Sequence, residues 1–164
     1  MNKYHITIEQ LSYKDGENNM IARILKKGEE NITINQLMDQ VKKNPQIAEC
    51  GAIFSFEGIV RGTETDKNTV KMDLTTPDII ETEGELKEII NDIKNKYGVI
   101  EIAVVHYVGE FQPVDPLFLV VVAGAHRQET RSALNDVVER VKYELDFKKE
   151  EHTDDGTNII MSGG

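Results

Sequence analysis

Residues 117–125, Leu-Phe-Leu-Val-Val-Val-Ala-Gly-Ala, form a nearly continuous apolar run that is followed at once by His126 and Arg127. A run of this kind is typical of a strand that is buried on both faces of a sheet. After it, apolar side chains recur at helical spacing and predict a helix over about 128–146. These side chains are Leu134, Val137, Val138, Val141 and Leu145. The chain is therefore expected to pass from a central strand into a long helix at His126.

Upstream of this unit, a second amphipathic pattern predicts a helix over about 79–97, which Gly98 ends. Its apolar face consists of Leu86, Ile89, Ile90, Ile93 and Tyr97. Strands are predicted at 51–60, 69–75 and 100–107, and a short helix between Thr33 and Asn44-Pro45. Because the strands and helices do not follow a simple βαβ repeat, we expect an α+β fold with a mixed sheet and two main helices.

The length of 164 residues fits one ordinary domain. We expect residues 1–32 to form an N-terminal extension, because two patterned pieces, Tyr4 to Leu11 and Met20 to Leu25, flank a turn-rich segment. This extension is either a hairpin or a loosely attached segment. Residues 33–164 would then form the main domain with a short C-terminal tail.

The formal net charge of -10 argues against general nucleic-acid binding, because it repels the phosphate backbone. The apolar stretches are shorter than the ~20 residues that span a bilayer, and the polar start lacks a signal-peptide pattern, so we expect a cytoplasmic protein and no membrane segment. Cys50 is the only cysteine, which excludes an intrachain disulfide. No metal site is expected, because the four histidines, His5, His106, His126 and His152, show no ligand spacing.

A set of basic residues stands out against this acidic background. His126 and Arg127 lie where a strand passes into a helix, and a helix start favours anions, although both can equally begin a solvated helix face. Lys142 borders the apolar stripe of the last helix, and Lys149 follows seven residues later. The position of Lys142 suits a partly desolvated amine, and Lys149 would lie on the same side if the helix or its extension continued. Lysines beside an apolar stripe, however, also commonly cover it with their stems.

Arg61 ends the strand at 51–60, and Phe56, five residues earlier, is expected on the opposite side of that strand. Together with His126, Arg127 and the two lysines, Arg61 predicts a localised positive pocket for a small phosphate ester. His106 lies in an apolar strand and is interpreted as a core or edge histidine.

Several separated motifs resemble the MoaE family, the large subunits of molybdopterin synthases. The motifs are Cys50 to Arg61, His106-Tyr107-Val108-Gly109-Glu110, Pro113-Val114-Asp115, Ala125-His126-Arg127 and Phe147-Lys148-Lys149-Glu150. Lys142 and Lys149 stand sixteen and twenty-three residues after His126, as in the family. The resemblance covers about residues 32–150. It departs from the family pattern at Val114, which replaces a glycine.

The resemblance implies an α/β-hammerhead fold and a homodimer within a heterotetramer that contains two MoaD-like small subunits. It further implies a sulfurtransferase that moves sulfur from the thiocarboxylated small subunit to cyclic pyranopterin monophosphate, in molybdenum cofactor biosynthesis. Lys142 and Lys149 are then the catalytic residues, and the substrate-binding residues are Arg61, His126, Arg127 and Phe56. No metal or organic cofactor is implied. The alternatives are a non-catalytic module that binds a ubiquitin-like carrier tail or a phosphorylated small molecule, and a structural partner.

Overall fold

The computed structural model describes residues 13–15, 18–64 and 67–160. These residues form nine strands and three α-helices. In chain order the elements are β1 (Tyr13–Asp15), β2 (Asn18–Lys26), α1 (Ile34–Lys42), β3 (Ala52–Ile59), β4 (Thr63–Glu64), β5 (Lys67–Thr75), α2 (Ile79–Tyr97), β6 (Glu101–Phe111), β7 (Pro116–Gly124), α3 (Arg127–Glu144), β8 (Lys148–Thr153) and β9 (Gly156–Ile160). The helices predicted over 79–97 and 128–146 correspond to α2 and α3, the two main helices.

The strands belong to one sheet that is organised around β6. This strand pairs in parallel with β2 and antiparallel with β7, and β3 pairs antiparallel with the other edge of β7. The last residues of β6 pair with β5, and the sheet continues through β8 to β9. Among the described strands β2 and β6 are the only parallel pair, so the expected α+β fold with a mixed sheet is confirmed.

The core lies where the helices cover β6 and β7. Consecutive residues of these strands are buried, including Ile102 to Val105 and Leu119 to Ala123, so both faces of the two strands are covered. The apolar face of α2, with Leu86 and Ile90, and that of α3, with Val137 and Val141, are also buried. The prediction that 117–125 contains a strand buried on both faces is confirmed.

Local signals in the sequence fix the helix ends. Thr33 caps α1, since its hydroxyl accepts a hydrogen bond from the backbone N–H of Gln36, whose side chain in turn accepts from the Thr33 N–H. The carboxylate of Asp78 caps α2 in a similar way. Gly98 ends α2 in the left-handed region at φ 65°, as expected. In the part of the chain that the structure describes, no helix is long and apolar enough to cross a membrane.

The second half of the predicted N-terminal extension belongs to the sheet. β1 and β2 form an antiparallel pair, and Ile21, Ala22, Ile24 and Leu25 of β2 are buried beside β6. Met20 to Leu25 is therefore not loosely attached. Tyr4 to Leu11 lies outside the described residues, and the division of the chain at residue 32 stays a prediction.

Two segments near the predicted site differ from the expectation. The connection expected over 109–116 is shorter, because Gly109 to Phe111 continue β6. The acidic segment 150–156, which had no predicted structure, belongs to the antiparallel hairpin of β8 and β9, with Gly156 at φ 128° beside the turn. Pairing of β8 with β5 joins this hairpin to the sheet, which brings Lys149 opposite Leu74.

Candidate functional site

The predicted site residues lie at two separate places in a single chain. Arg61 follows the end of β3, where Ile59 pairs with Pro116, whereas His126 follows the end of β7, where Gly124 pairs with Ala52. The ladder between these two ends spans seven residue steps, or about 23 Å at roughly 3.3 Å per step. The structure therefore does not bring Arg61 and His126 together within one chain.

The last helix separates the remaining residues in the same way. Arg127 is the first residue of α3, and Lys142 lies in its last turn. Fifteen residues at about 1.5 Å per residue place their backbones about 23 Å apart. His126 and Arg127 thus form one group at the start of α3, while Lys142 lies at the far end of the helix.

The two lysines have different surroundings. Lys149 pairs with Leu74 across the β5–β8 ladder and lies on the same face of the sheet as this buried side chain. Its side chain is 28% exposed and forms an ion pair with Glu151 at 3.2 Å. Lys142 is exposed in the single chain, with its Nζ 6.0 Å from the ring centroid of Tyr143. Lys149 is therefore partly buried, but it lies in β8 and not on a continuation of the last helix, and Lys142, which was expected beside the apolar stripe, is exposed.

A row of four rings connects Phe56 with the segment that carries Lys149. The ring of Phe56 meets that of Phe118 edge-on, with centroids 5.6 Å apart. Phe118 lies 4.9 Å from the ring of His106, which stacks on Phe147 at 4.4 Å. Phe147 precedes Lys149 by two residues, so the row leads from one predicted site residue to another.

His106 is buried within this row, which confirms its interpretation as a core histidine. Burial lowers the pKa of His106 to about 4, because an apolar environment disfavours the charged ring. Its Nδ1–H donates a hydrogen bond to the backbone carbonyl of Tyr107 at 2.9 Å. This bond assigns the proton of the neutral ring to Nδ1 and fixes the orientation of the ring.

The backbone before Arg61 is fixed by the turn at residues 112–115. The Val60 N–H donates to the carbonyl of Asp115, and the Val60 carbonyl accepts from the Val114 N–H at 2.7 Å. The carboxylate of Asp115 accepts from the Gln112 N–H and forms an ion pair with Lys27. Arg61 itself is exposed, so the turn holds its backbone at the surface while leaving its side chain accessible to solvent.

Val114 has φ 75°, an unusual conformation for a β-branched residue. It follows Pro113, and the Asp115 N–H donates to the carbonyl of Gln112, which together describe a type II turn with valine at the position that favours glycine. Val114, the residue at which the chain departs from the family pattern, is therefore a site of backbone strain next to Arg61.

Close backbone packing shapes the corner at which β7 becomes α3. A Cβ atom on Gly51 would lie 2.5 Å from the carbonyl oxygen of Ala125, so only glycine fits there. The His126 N–H donates to the carboxylate of Glu129, and the hydroxyl of Thr130 donates to the His126 carbonyl. The backbone of His126 is thereby fixed, while its side chain and that of Arg127 remain exposed.

A second polar cluster lies on the opposite face of the β5–β8 ladder from Lys149. It consists of Asp73, Glu150 and His152, whose ligand-type atoms lie within 4.8 Å of one another. The Nε2–H of His152 donates to Asp73 at 2.9 Å, and Glu150 pairs with Lys148 at 3.1 Å. Sequence spacing missed the group because it comes from two strands. These distances can suit a metal ion, but the protein's own ion pairs already account for the arrangement.

A cavity of about 330 Å³ lies between the start of α1, the strand β6 and the strand β7. Its apolar lining includes Ile32, Ile34, Pro116 and Leu119, and the hydroxyl of Tyr107 beside it hydrogen-bonds to the backbone of Ile32. None of the six predicted site residues lines this cavity.

Comparison with known proteins links the chain to one family. The family model described as MoaE protein matches residues 27–144, a range that includes Arg61, His126, Arg127 and Lys142 but ends before Lys149.

Among curated proteins, the chain is 34% identical over 117 residues to the molybdopterin synthase catalytic subunit of Ralstonia nicotianae, covering 71% of this chain and 64% of the relative. It is 32% identical over 131 residues to the probable molybdopterin synthase of Haloferax volcanii, covering 77% of this chain and 49% of the relative. The chain thus spans about half of the length of one relative and just under two thirds of the other.

Solved structures share the fold. A molybdopterin synthase structure from Staphylococcus aureus superposes with a TM-score of 0.71 at 23% identity, covering 84% of this chain and 95% of that one. A complex of subunits 1 and 2 of the molybdopterin-converting factor from Helicobacter pylori gives a TM-score of 0.64 at 18% identity, covering 82% and 86% of the two chains.

Proposed function

Because this chain belongs to the MoaE family, we propose that it is the catalytic subunit of a molybdopterin synthase. In this function it transfers sulfur from the C-terminal thiocarboxylate of a small MoaD-like carrier to cyclic pyranopterin monophosphate and forms the dithiolene of molybdopterin. Each transfer forms a pterin C–S bond in place of a C–O bond of the precursor's side chain, and water hydrolyses the carrier's own C–S bond, so the carrier leaves as a carboxylate. The match over residues 27–144 is the observation that carries the proposal.

The proposed catalytic residues are Lys142 and Lys149. An ammonium group beside a thiocarboxylate stabilises its negative charge and exchanges protons with the reacting groups, and partial desolvation strengthens both effects. The position of Lys149 beside the buried Leu74 supports this role. Arg61, His126 and Arg127 are proposed to bind the phosphate and the pterin, with Phe56 at the inner edge of the same site.

We place this site in a homodimer within a heterotetramer. The separation of about 23 Å between the ends of the β3–β7 ladder exceeds the length of a pterin monophosphate, so Arg61 and His126 of one chain do not contact the same substrate molecule. In a dimer, a second copy of the chain supplies its His126 and Arg127 to the lysines of the first copy. This arrangement completes the set of proposed site residues. The two-subunit complex from Helicobacter pylori supports a carrier subunit as the further partner. With this function we also propose a cytoplasmic location.

Single-turnover conversion of cyclic pyranopterin monophosphate by the chain and a thiocarboxylated carrier tests the proposed reaction. We expect Lys142→Ala and Lys149→Ala to lower the rate by about 100-fold or more, the range typical of a lost proton-transfer group. Lys148→Ala is the matched control, because Lys148 is adjacent to Lys149 but exposed and on the other face of β8. A wild-type chain that binds the carrier and forms no product is instead a carrier-binding module.

Complementation between two inactive variants tests the shared site. Mixed dimers of Lys149→Ala and Arg127→Ala chains contain one site in which both residues are intact. After random reassortment, we expect about a quarter of the wild-type activity, since half of the dimers are mixed and each holds one intact site. Activity that stays at the level of the separate variants contradicts a site built from two chains.

A further inference from the structure

Three residues, Leu145 to Phe147, connect the end of α3 to the start of β8. The link is anchored at both ends, because Leu145 is 1% and Phe147 is 6% exposed, while Asp146 between them is exposed. Lys142 precedes Leu145 by three residues, and Lys149 follows Phe147 by two. The two anchors therefore set the spacing between the two lysines of the proposed site.

Phe147, the buried residue nearer to Lys149, packs against one aromatic ring. The ring of Phe147 stacks on that of His106, with centroids 4.4 Å apart and an angle of 18° between the planes. His106 lies on the central strand β6, directly opposite Phe118 in β7. Phe118 in turn contacts Phe56, so the surface under Phe147 is continuous with the proposed substrate-binding ring.

The orientation of the His106 ring is set by its own strand. Its Nδ1–H donates to the Tyr107 carbonyl at 2.9 Å, which holds the plane of the ring relative to the backbone of β6. A flat partner stacks in parallel on such a ring, whereas an aliphatic side chain of similar size offers no plane. The ring thus sets the position of Phe147, directly before the residues of β8 that pair with β5.

From these contacts we propose that His106 is a positioning residue, which holds Phe147 by ring stacking and thereby fixes Lys149 relative to Lys142 and Phe56. This inference rests on the proposed function for its catalytic consequence, but its structural part concerns the location of one amine. His106 does not touch the substrate in this arrangement. Its effect on the reaction passes through Phe147 and the first residues of β8.

Two substitutions separate ring stacking from simple burial. His106→Phe loses the hydrogen bond to the Tyr107 carbonyl but keeps a flat ring between Phe118 and Phe147, and His106→Leu keeps an apolar side chain without a ring. We expect the leucine variant to lower the single-turnover rate by about 10- to 100-fold, since a displacement of about 1 Å in a reacting group has effects of this size. We expect the phenylalanine variant to stay within a few-fold of wild type, and both variants to bind the carrier as wild type does. Equal rates in the two variants overturn the proposal.

A second readout needs no turnover. In the chain alone, the rate at which an acylating reagent modifies Lys149 relative to Lys148, followed by mass spectrometry, reports the position of the Lys149 amine. We expect a several-fold change in this ratio for His106→Leu and for Phe147→Leu, and no further change when the two are combined, because both remove the same stack. An unchanged ratio overturns the positioning role. A wild-type chain without turnover contradicts the proposed function only, and the labelling ratio still decides the role of His106.

Discussion

The buried ring of His106 makes the stability of the protein depend on pH. Burial between Phe118 and Phe147 lowers its pKa from 6.5 to about 4, and the hydrogen bond to the Tyr107 carbonyl offsets only part of this effect. The folded protein thus keeps the ring neutral over a range in which the unfolded chain binds a proton. Stability must therefore fall as the pH decreases through this range.

The size of the effect follows from the difference in pKa. A shift from 6.5 to about 4 corresponds to about 3 kcal/mol at about 1.4 kcal/mol per pKa unit. The folded state has the lower affinity for the proton, so this stabilisation is fully present above pH 6.5, decreases as the pH falls towards about 4, and is absent below that value. Between about pH 7.5 and about pH 4.5 the expected loss is about 2–3 kcal/mol.

Urea unfolding of the wild type and of His106→Phe at several pH values measures this loss. The variant has no titrating ring, so the difference in unfolding free energy between the two proteins should change by about 2–3 kcal/mol between about pH 7.5 and about pH 4.5, to the disadvantage of the wild type. Glu101, whose pKa is raised by burial, titrates in both proteins, and its contribution cancels. A difference that stays constant with pH refutes the assignment of a buried neutral histidine.

Substitutions at three further positions test local features by urea unfolding. Val114→Gly should stabilise the protein by about 1 kcal/mol, because glycine adopts φ 75° without strain, and a destabilised variant argues against the type II turn. Gly51→Ala should destabilise it by about 1–3 kcal/mol, since the new Cβ would lie 2.5 Å from the Ala125 carbonyl oxygen, and a neutral result contradicts this close packing. Asp78→Ala should cost about 1 kcal/mol through loss of the cap of α2, whereas Asp78→Asn should cost less.

The parts of the fold that the sequence predicted depend on local patterns. The helix at 79–97 has a continuous 3.6-residue periodicity and a glycine stop, and the structure places α2 over the same residues. The strand within 117–125 was predicted as buried on both faces because its apolar run has no polar interruption. Thr33 was recognisable as a cap from its position just before an apolar helical pattern.

The pairing of distant strands was not predictable from such patterns. The hairpin of β8 and β9 consists mostly of charged and polar residues, and it belongs to the sheet because β5, about 80 residues earlier, pairs with β8. The pairing of β2 with β6 was likewise not predictable from residues 18–26, because the apolar residues of β2 also suit an isolated hairpin.

The residue types of the candidate site were identifiable from sequence, but their arrangement was not. The sequence placed Arg61 at the end of one strand and His126 after another, but it did not predict that the two strands pair antiparallel and so hold these residues at opposite ends of the β3–β7 ladder. Helical spacing predicted that Lys142 borders the apolar stripe of α3. It did not predict that the Lys142 side chain is exposed, because exposure depends on which other elements pack beside the stripe. The partial burial of Lys149 results from the long-range pairing of β8.

The most direct test of the proposed sulfur transfer follows the sulfur atom itself. A carrier whose C-terminal thiocarboxylate contains ³⁴S is mixed with this chain and cyclic pyranopterin monophosphate, and the product is analysed by mass spectrometry. The proposed function predicts ³⁴S at both dithiolene positions, with one carrier carboxylate formed for each sulfur transferred. A stable complex of chain and carrier in which no ³⁴S reaches the pterin would contradict it.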